Sequence, residues 1–104
     1  MGLAIDNPDA PLYTVGQVAT MLSLQPAFVR RLDTEELVSP RRSDGGQRRY
    51  SRTEILQIQR VSELAGEGLT LAGIRRLILL EAEVSRLRTE IKRLKADRSS
   101  AYRR

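Results

Sequence analysis

The sequence predicts a mostly α-helical protein, in which a small helical body carries a two-stranded β-wing and leads into one coiled-coil helix. Three observations support this fold class. Two segments begin with Ser or Thr and have Gln or Glu three residues later, which is the spacing of a helix-capping box. A basic segment from Pro40 to Ser51 is centred on a Gly-Gly pair, and a heptad pattern of apolar residues begins at Leu77.

The first two helices are predicted after a short leader. Residues 1–12 contain two prolines and little to bury, so we expect them to form a disordered leader. Thr14 opens the first helix, whose apolar positions recur on one face. A turn at Ser23 to Gln25 follows. Pro26 suits the first position of a second helix, where its missing N–H leaves no bond unmade.

The basic segment after the second helix has the form of a β-wing. Gly45 and Gly46 allow a tight turn at positive φ, and the two arms of that turn present four arginines. These are Arg41, Arg42, Arg48 and Arg49. A solvated basic loop is the alternative interpretation. Tyr50 ends the segment, and its ring could either reach a ligand or pack the wing on the body.

Two further helices follow the wing. Ser51 and Glu54 form the second capping box, Gly66 and Gly68 end the third helix, and Thr70 is placed to begin a fourth.

A coiled-coil helix is predicted over residues 77–97, where apolar residues alternate in steps of three and four over roughly 30 Å. The apolar stripe consists of Leu77, Leu80, Val84, Leu87, Ile91 and Leu94. We expect the stripe to pair with a second copy of the chain, and packing on its own domain is the alternative. Residues 98–104 form a basic tail.

The composition restricts the classes of protein and partner. A chain of 104 residues allows one domain with a small core, and its net charge of +5 favours a polyanion as partner. There is no Cys and no His, so thiolate metal sites, zinc fingers and histidine-based catalysis are excluded. We predict no metal and no cofactor. No apolar run approaches the roughly 18 residues of a membrane span, so we expect a cytoplasmic, nucleoid-associated protein.

The order of these elements resembles the MerR superfamily of bacterial transcription regulators, over residues 13 to about 97. The matching motifs are Tyr13-Thr14-Val15-Gly16, Val29-Arg30, Leu37-Val38-Ser39-Pro40 and Gly46-Gln47-Arg48-Arg49-Tyr50-Ser51. Three runs, 37–42, 45–51 and 71–74, are most similar to the heat-shock repressor (HspR-like) branch. The chain departs from the family pattern at Arg31 and Leu32, where an aromatic or polar pair is usual, and at Glu36, where glycine is usual.

The resemblance implies a winged helix-turn-helix DNA-binding domain at residues 13–76, with the second helix in the major groove. Base-edge contacts are expected between Gln25 and Arg31, since Gln suits adenine and Arg suits guanine. For Arg30 we favour a phosphate contact. The wing should hold the DNA backbone or the minor groove. The predicted DNA-binding residues are Thr14, Gln25, Arg30, Arg31, Arg41, Arg42, Arg48, Arg49 and Tyr50.

These observations predict a dimeric, sequence-specific DNA-binding transcription regulator that recognises a pseudo-palindromic promoter site. The HspR-like resemblance favours repression, without an effector-binding domain of the chain's own, and a protein co-regulator would fit. The alternatives are an architectural or excisionase-type DNA-binding protein and a coiled-coil protein-interaction module. No acid/base pair has a recognisable arrangement, so we do not predict an enzyme.

The charges and the resemblance point to different orientations of the dimer helices. Glu83 and Glu90 would face Arg88 and Lys95 in a parallel pair, which is favourable. The resemblance implies antiparallel helices, which would also hold two winged domains apart by about one DNA turn, roughly 34 Å. Surface ion pairs contribute at most about 1 kcal/mol each. We therefore predict the antiparallel arrangement.

Overall fold

The computed structural model describes residues 6–102, which form four α-helices and one two-stranded antiparallel sheet. The elements are α1 Val15–Leu22, α2 Pro26–Thr34, β1 Arg41–Arg42, β2 Arg48–Arg49, α3 Arg52–Gly66 and α4 Leu71–Tyr102. The predicted fold class, mostly helical with a small wing and a long C-terminal helix, is confirmed. The chain divides into two compact units, the first ending at Leu71 and the second beginning at Ala72.

Both predicted capping boxes are present. The Gln17 N–H donates to Thr14 Oγ1 at 3.1 Å, and the Thr14 N–H donates to Gln17 Oε1 at 2.9 Å. Ser51 and Glu54 repeat this arrangement at the start of α3, at 3.1 and 2.9 Å. Each box satisfies N–H groups that the start of a helix leaves without intrahelical partners. Helices α1 and α3 therefore begin where the sequence predicts.

Among residues 6–102, two residues other than glycine have a left-handed backbone, and each lies just after a helix. Ser23 ends α1 with a φ of 56°, and its N–H and that of Leu24 both donate to the Ala19 carbonyl. These hydrogen bonds close the turn between α1 and α2, and α2 begins at Pro26 as predicted. Glu36 follows α2 with a φ of 60°. A residue without Cβ adopts this backbone without steric strain, which explains why glycine is usual there in the family that the motifs resemble.

The core of the first unit draws apolar side chains from both helix-turn-helix helices, the wing and α3. Its most deeply buried members are Val18, Val29, Leu32, Val38, Tyr50, Ile58 and Val61. The backbone of Tyr50 also pairs with that of Tyr13, with N–H to carbonyl distances of 2.7 and 3.0 Å. This bridge joins the end of the wing to the segment that leads into α1.

Residues 7–12 differ from the expected disordered leader. The Pro8 carbonyl accepts a hydrogen bond from the Thr53 N–H at 3.0 Å, and the Thr53 hydroxyl lies 3.0 Å from Asp9 Oδ1. Ala10 is buried. The prediction of disorder was based on the small apolar surface of the segment. Hydrogen bonds to Thr53 of α3 order it instead. Residues 1–5 of the expected leader lie outside the described residues.

The second unit is a single helix. The sequence predicted a fourth helix and then a separate coiled-coil helix, but the structure joins them in the 32 residues of α4, about 48 Å long at 1.5 Å per residue. The helix continues through the described part of the basic tail. Leu77 is half-buried, while the other five residues of the apolar stripe are exposed. Within residues 6–102, no helix combines the length and apolar character of a bilayer span.

Candidate nucleic-acid interface

A basic cleft of about 390 Å³ lies between the start of α1, α2 and the wing. Its lining consists of Thr14, Val15, Gly16, Arg30, Arg42, Gly46, Gln47, Arg48 and Arg49. Five of these residues belong to the predicted DNA-binding set, and they come from α2, the wing and the segment that caps α1. The lining, as far as the structure describes it, contains four arginines and no acidic residue. The cleft therefore suits an anionic ligand.

The N-terminus of α1 adds positive character to this cleft. Val15 and Gly16 belong to the first turn, where backbone N–H groups have no intrahelical partner and the helix dipole favours anions. The Thr14 side chain is engaged in its capping box, so it forms part of the wall and stabilises the helix start. Thr14 stays a predicted DNA contact, and the backbone N–H groups of Val15 and Gly16 are further candidates beside it.

Gly16 is a cleft residue that belongs to a matching motif but not to the predicted DNA-binding set. A Cβ added to Gly16 would meet no atom closer than Thr14 Oγ1 at 3.9 Å. Its φ also lies outside the left-handed region, so neither packing nor backbone geometry requires glycine here. At such a position glycine is less stabilising than alanine by about 0.4–1 kcal/mol, so a glycine just after a predicted helix start was the signal available in the sequence. Close approach of a ligand to the backbone is a reason that fits its position.

The start of α2 presents Gln25 to solvent. Gln25 is the N-cap residue, but its side chain makes no capping hydrogen bond, so it remains available to a ligand. Arg30 is also exposed and has no ionic partner among the described residues. Arg31 differs, because its Nε lies 2.8 Å from Glu35 Oε2, just after the end of the same helix. The expected contacts on α2 therefore differ in how freely they can meet DNA.

The wing is joined to α2 by ion pairs that the sequence did not predict. Arg42 and Arg48 lie directly opposite each other in the hairpin and share one face. Both meet Asp33, whose Oδ2 lies 2.7 Å from Arg48 Nε and 3.2 Å from Arg42 Nη2. Fifteen residues separate Asp33 from Arg48, so no helical or hairpin spacing could reveal the contact.

The loop of the wing is closed by backbone and side-chain hydrogen bonds. The Ser43 N–H donates to the Gln47 carbonyl at 2.7 Å, and the Gly46 N–H donates to the Ser43 carbonyl at 2.8 Å. Arg42 Nη1 donates to the Gly46 carbonyl at 3.2 Å. Of the Gly-Gly pair, Gly46 alone has a positive φ, 82°. The predicted tight turn is present and depends on this residue.

Tyr50 is fully buried, which corrects its inclusion among the expected DNA contacts. Its ring packs the wing on the body, the alternative that the sequence left open. The Tyr50 hydroxyl has no hydrogen-bond partner within residues 6–102, and burial raises the pKa of its phenol above the ordinary value. Arg49 is half-buried, and its Nη1 likewise has no partner in the described part of the chain. Arg41 is exposed, and no described residue forms an ion pair with it.

Comparison with known proteins identifies the family. The family model described as MerR HTH family regulatory protein matches residues 13–81. The putative heat shock protein HspR of Streptomyces coelicolor is 39% identical over 89 residues, which cover 85% of this chain and 59% of the relative. The HTH-type transcriptional regulator GlnR of Bacillus anthracis is 28% identical over 92 residues, which cover 86% of this chain and 71% of the relative. The chain thus spans less than two thirds of the HspR relative.

Solved structures share the fold. HiNmlR, a MerR family regulator lacking the sensor domain and bound to promoter DNA, matches with a TM-score of 0.58 and 22% identity, over 80% of this chain and 75% of that one. A MerR family transcriptional regulator from Bacillus cereus matches with a TM-score of 0.59 and 19% identity, over 84% of this chain and 69% of that one. The matched family consists of regulators, not enzymes. The chain therefore belongs to the MerR family of helix-turn-helix regulatory proteins, which confirms the resemblance seen in its motifs.

Proposed function

We propose that this chain is a dimeric transcription regulator that binds a pseudo-palindromic promoter site. In this proposal α2 lies in the major groove and the basic cleft holds the DNA backbone. The observation that carries it is the cleft itself, in which arginines from α2 and the wing surround the positive end of α1. Phosphate contacts of this kind fix the register of a helix in the groove. The proposal also includes repression, action on the nucleoid in the cytoplasm and a protein co-regulator, as the heat-shock repressor resemblance of the motifs implies.

Sequence choice is assigned to the exposed start of α2. A recognition helix places its N-terminal residues against base edges, and Gln25 is the residue there whose side chain no cap engages. Selection of binding sites from random DNA tests the proposal. The wild-type chain should enrich an inverted repeat, and Gln25→Ala should relax one position in each half-site. Failure of the wild-type chain to enrich any sequence would contradict the proposed function.

The exposed apolar stripe of α4 supports the dimer. Leu80 and Leu87 are 62% and 43% exposed, and Val84, Ile91 and Leu94 continue the same heptad seam. Large apolar side chains repeated along one face of a helix are stabilised by burial against a second helix. A stripe of this length suits a two-helix contact between copies of the chain.

The orientation of the two helices is proposed to be antiparallel. The two acidic residues that favoured a parallel pair already have partners on their own helix: Glu83 meets Arg86 at 2.6 Å, and Glu90 meets Arg93 at 2.6 Å. The Arg86 guanidinium also lowers the pKa of Glu83. These carboxylates therefore contribute less to a choice between orientations. Disulfide cross-linking of a Leu80→Cys variant tests it, since efficient Leu80→Cys self-linkage would mean parallel helices.

A further inference from the structure

We propose that Asp33 is a positioning residue that holds the wing in register with α2, so that the wing favours the operator over other DNA. The inference rests on the proposed function, because it concerns how the same interface distinguishes its target sequence. No motif of the sequence points to Asp33. The structure places it where the recognition helix and both strands of the wing meet.

The geometry makes Asp33 the link between two arginines that would otherwise repel each other. Arg42 and Arg48 are direct cross-strand neighbours, and like charges in that arrangement destabilise a hairpin. The carboxylate of Asp33 accepts from both, at 3.2 and 2.7 Å, and offsets that repulsion. The side chains of Asp33 and Arg48 are only 20% and 21% exposed, so salt screens their pair less than an exposed one.

Both ends of this link lie beside predicted DNA contacts. On α2, Asp33 follows the exposed Arg30 by three residues, so the two lie on the same side of the helix. On the wing, Arg42 also donates to the Gly46 carbonyl at 3.2 Å, which connects the link to the loop of the hairpin. A shift of the Asp33 contact would therefore move the wing relative to the helix that reads the bases.

A carboxylate beside a phosphate-binding cleft weakens binding to DNA of any sequence, but it can strengthen the preference for one sequence. It opposes the binding of any phosphate, and it occupies two guanidinium groups that could otherwise meet phosphates at any sequence. It also fixes where the wing can hold the backbone relative to α2, which restricts binding to DNA that presents bases and phosphates together. Loss of Asp33 should thus strengthen binding to arbitrary DNA and reduce the preference for the operator.

The test compares Asp33→Asn with Glu35→Gln. Both substitutions remove one negative charge from the end of α2, but Glu35 pairs with Arg31 and does not touch the wing in the described contacts. The probes are a duplex that the wild-type chain selects from random DNA and a scrambled duplex of equal length. Fluorescence anisotropy across a salt titration, from about 50 to 200 mM, gives the affinity ratio of the two duplexes and the salt slope for each.

For Asp33→Asn we expect the ratio of selected to scrambled affinity to fall by about tenfold. The log–log salt slope on scrambled DNA should steepen by up to about two units per protomer, as Arg42 and Arg48 become free. Glu35→Gln frees Arg31 alone, so its salt slope should steepen by no more than about one unit per protomer. Because its wing stays joined to Asp33, Glu35→Gln should keep the wild-type ratio, and Asp33→Glu should keep most of that ratio. A residue with only a structural role would lower both affinities together and would not steepen the slope.

An unchanged ratio in Asp33→Asn, or an equal loss in Glu35→Gln, overturns the inference. Arg48→Lys provides a second variant if Asp33→Asn does not fold, because it keeps the charge and removes the Nε–H donor. The Arg48→Lys variant should also lose preference for the operator. If its ratio of selected to scrambled affinity equals that of the wild type, the inference is overturned as well. A wild-type chain that does not prefer its own selected duplex is a different result, because it contradicts the proposed function itself.

Discussion

Gly16→Ala should make the protein more stable and at the same time a weaker DNA binder. Where the backbone suits any residue, replacing glycine by alanine stabilises a protein by about 0.4–1 kcal/mol. The nearest atom that the new methyl group would meet is 3.9 Å away. For a chain of this size, about 1 kcal/mol corresponds to roughly 4–8 °C in Tm. We therefore expect the Tm to rise by about 2–8 °C.

The weaker binding follows from the direction in which the methyl group points. Each Cα–Cβ bond in a helix tilts toward the N-terminus, so the Cβ of residue 16 would project toward the end of α1 that borders the cleft. A phosphate oxygen could then no longer approach the Gly16 N–H. One hydrogen bond to a charged group is worth about 1.5–3 kcal/mol, so each phosphate hydrogen bond that the methyl group prevents should reduce the affinity by about 10- to 150-fold.

Thermal unfolding by circular dichroism and anisotropy with the selected duplex measure the two effects. Gly66→Ala is the matched control, since Gly66 ends α3, has open space around its Cβ position and does not line the cleft. It should raise the Tm without changing the affinity for DNA. If Gly16→Ala is stabilised and binds as tightly as the wild-type chain, close approach of a phosphate is not the reason for this glycine.

Three further predictions concern the exposed arginines of α2 and the wing, the core, and the apolar stripe. Replacing Arg30 and Arg41 by Ala should remove about four phosphate contacts from a dimer, which flattens the salt slope by about 3.6 units. When the salt concentration rises from about 50 to 200 mM, the factor by which affinity drops should therefore be about 150 times smaller for the variant than for the wild type. Tyr50→Phe removes a buried hydroxyl without a partner in the described residues, so the free energy of unfolding at neutral pH should rise by about 1 kcal/mol in urea titrations. Because burial raises the pKa of Tyr50, the wild-type chain should lose more stability than Tyr50→Phe as the pH rises above about 10. Leu87→Asp places a charge in the middle of the stripe and should give monomers by analytical ultracentrifugation, with loss of operator binding.

The first and third of these predictions have a control in the same chain. Lys92→Ala removes one exposed cation that does not line the cleft, and its salt slope should equal that of the wild type. Ser85→Asp adds the same charge as Leu87→Asp at an exposed position outside the stripe, and it should leave the dimer intact. Equal effects of Ser85→Asp and Leu87→Asp would mean that net charge, not the stripe, controls assembly. Identical urea and pH curves for wild type and Tyr50→Phe would show that the hydroxyl is satisfied in solution.

The sequence predicted the features that depend on neighbouring residues. The capping boxes at Thr14 and Ser51 join residues three apart, and the proline at the start of α2 acts within its own turn. The basic wing was also predicted, because its turn and arms lie within twelve residues. These elements carry most of the cleft, so its position and charge could be anticipated.

The features that the sequence missed depend on contacts between distant residues. Tyr50 was placed with the wing arginines it follows, but its backbone pairs with Tyr13, far earlier in the chain, and that pairing directs its ring inward. Asp33 belongs to no motif of the sequence, and its importance follows only from the folded hairpin, which brings Arg42 and Arg48 into contact with it. Local periodicity indicates which face of an element is buried, but it does not indicate which charged residues meet across the fold.

The ion pairs along α4 have a consequence for partner choice. In coiled coils, charges flanking the seam let a helix discriminate between partners. Here Glu83, Glu90 and Asp97 each meet an arginine of the same helix, at 2.6, 2.6 and 3.2 Å. A dimer built on this helix would therefore select its partner chiefly by the shapes of Leu, Val and Ile side chains and by the basic flanking residues Arg88 and Lys95. Related regulators with a similar stripe in the same cell could then exchange subunits with it, and mixed dimers would read operators with two different half-sites.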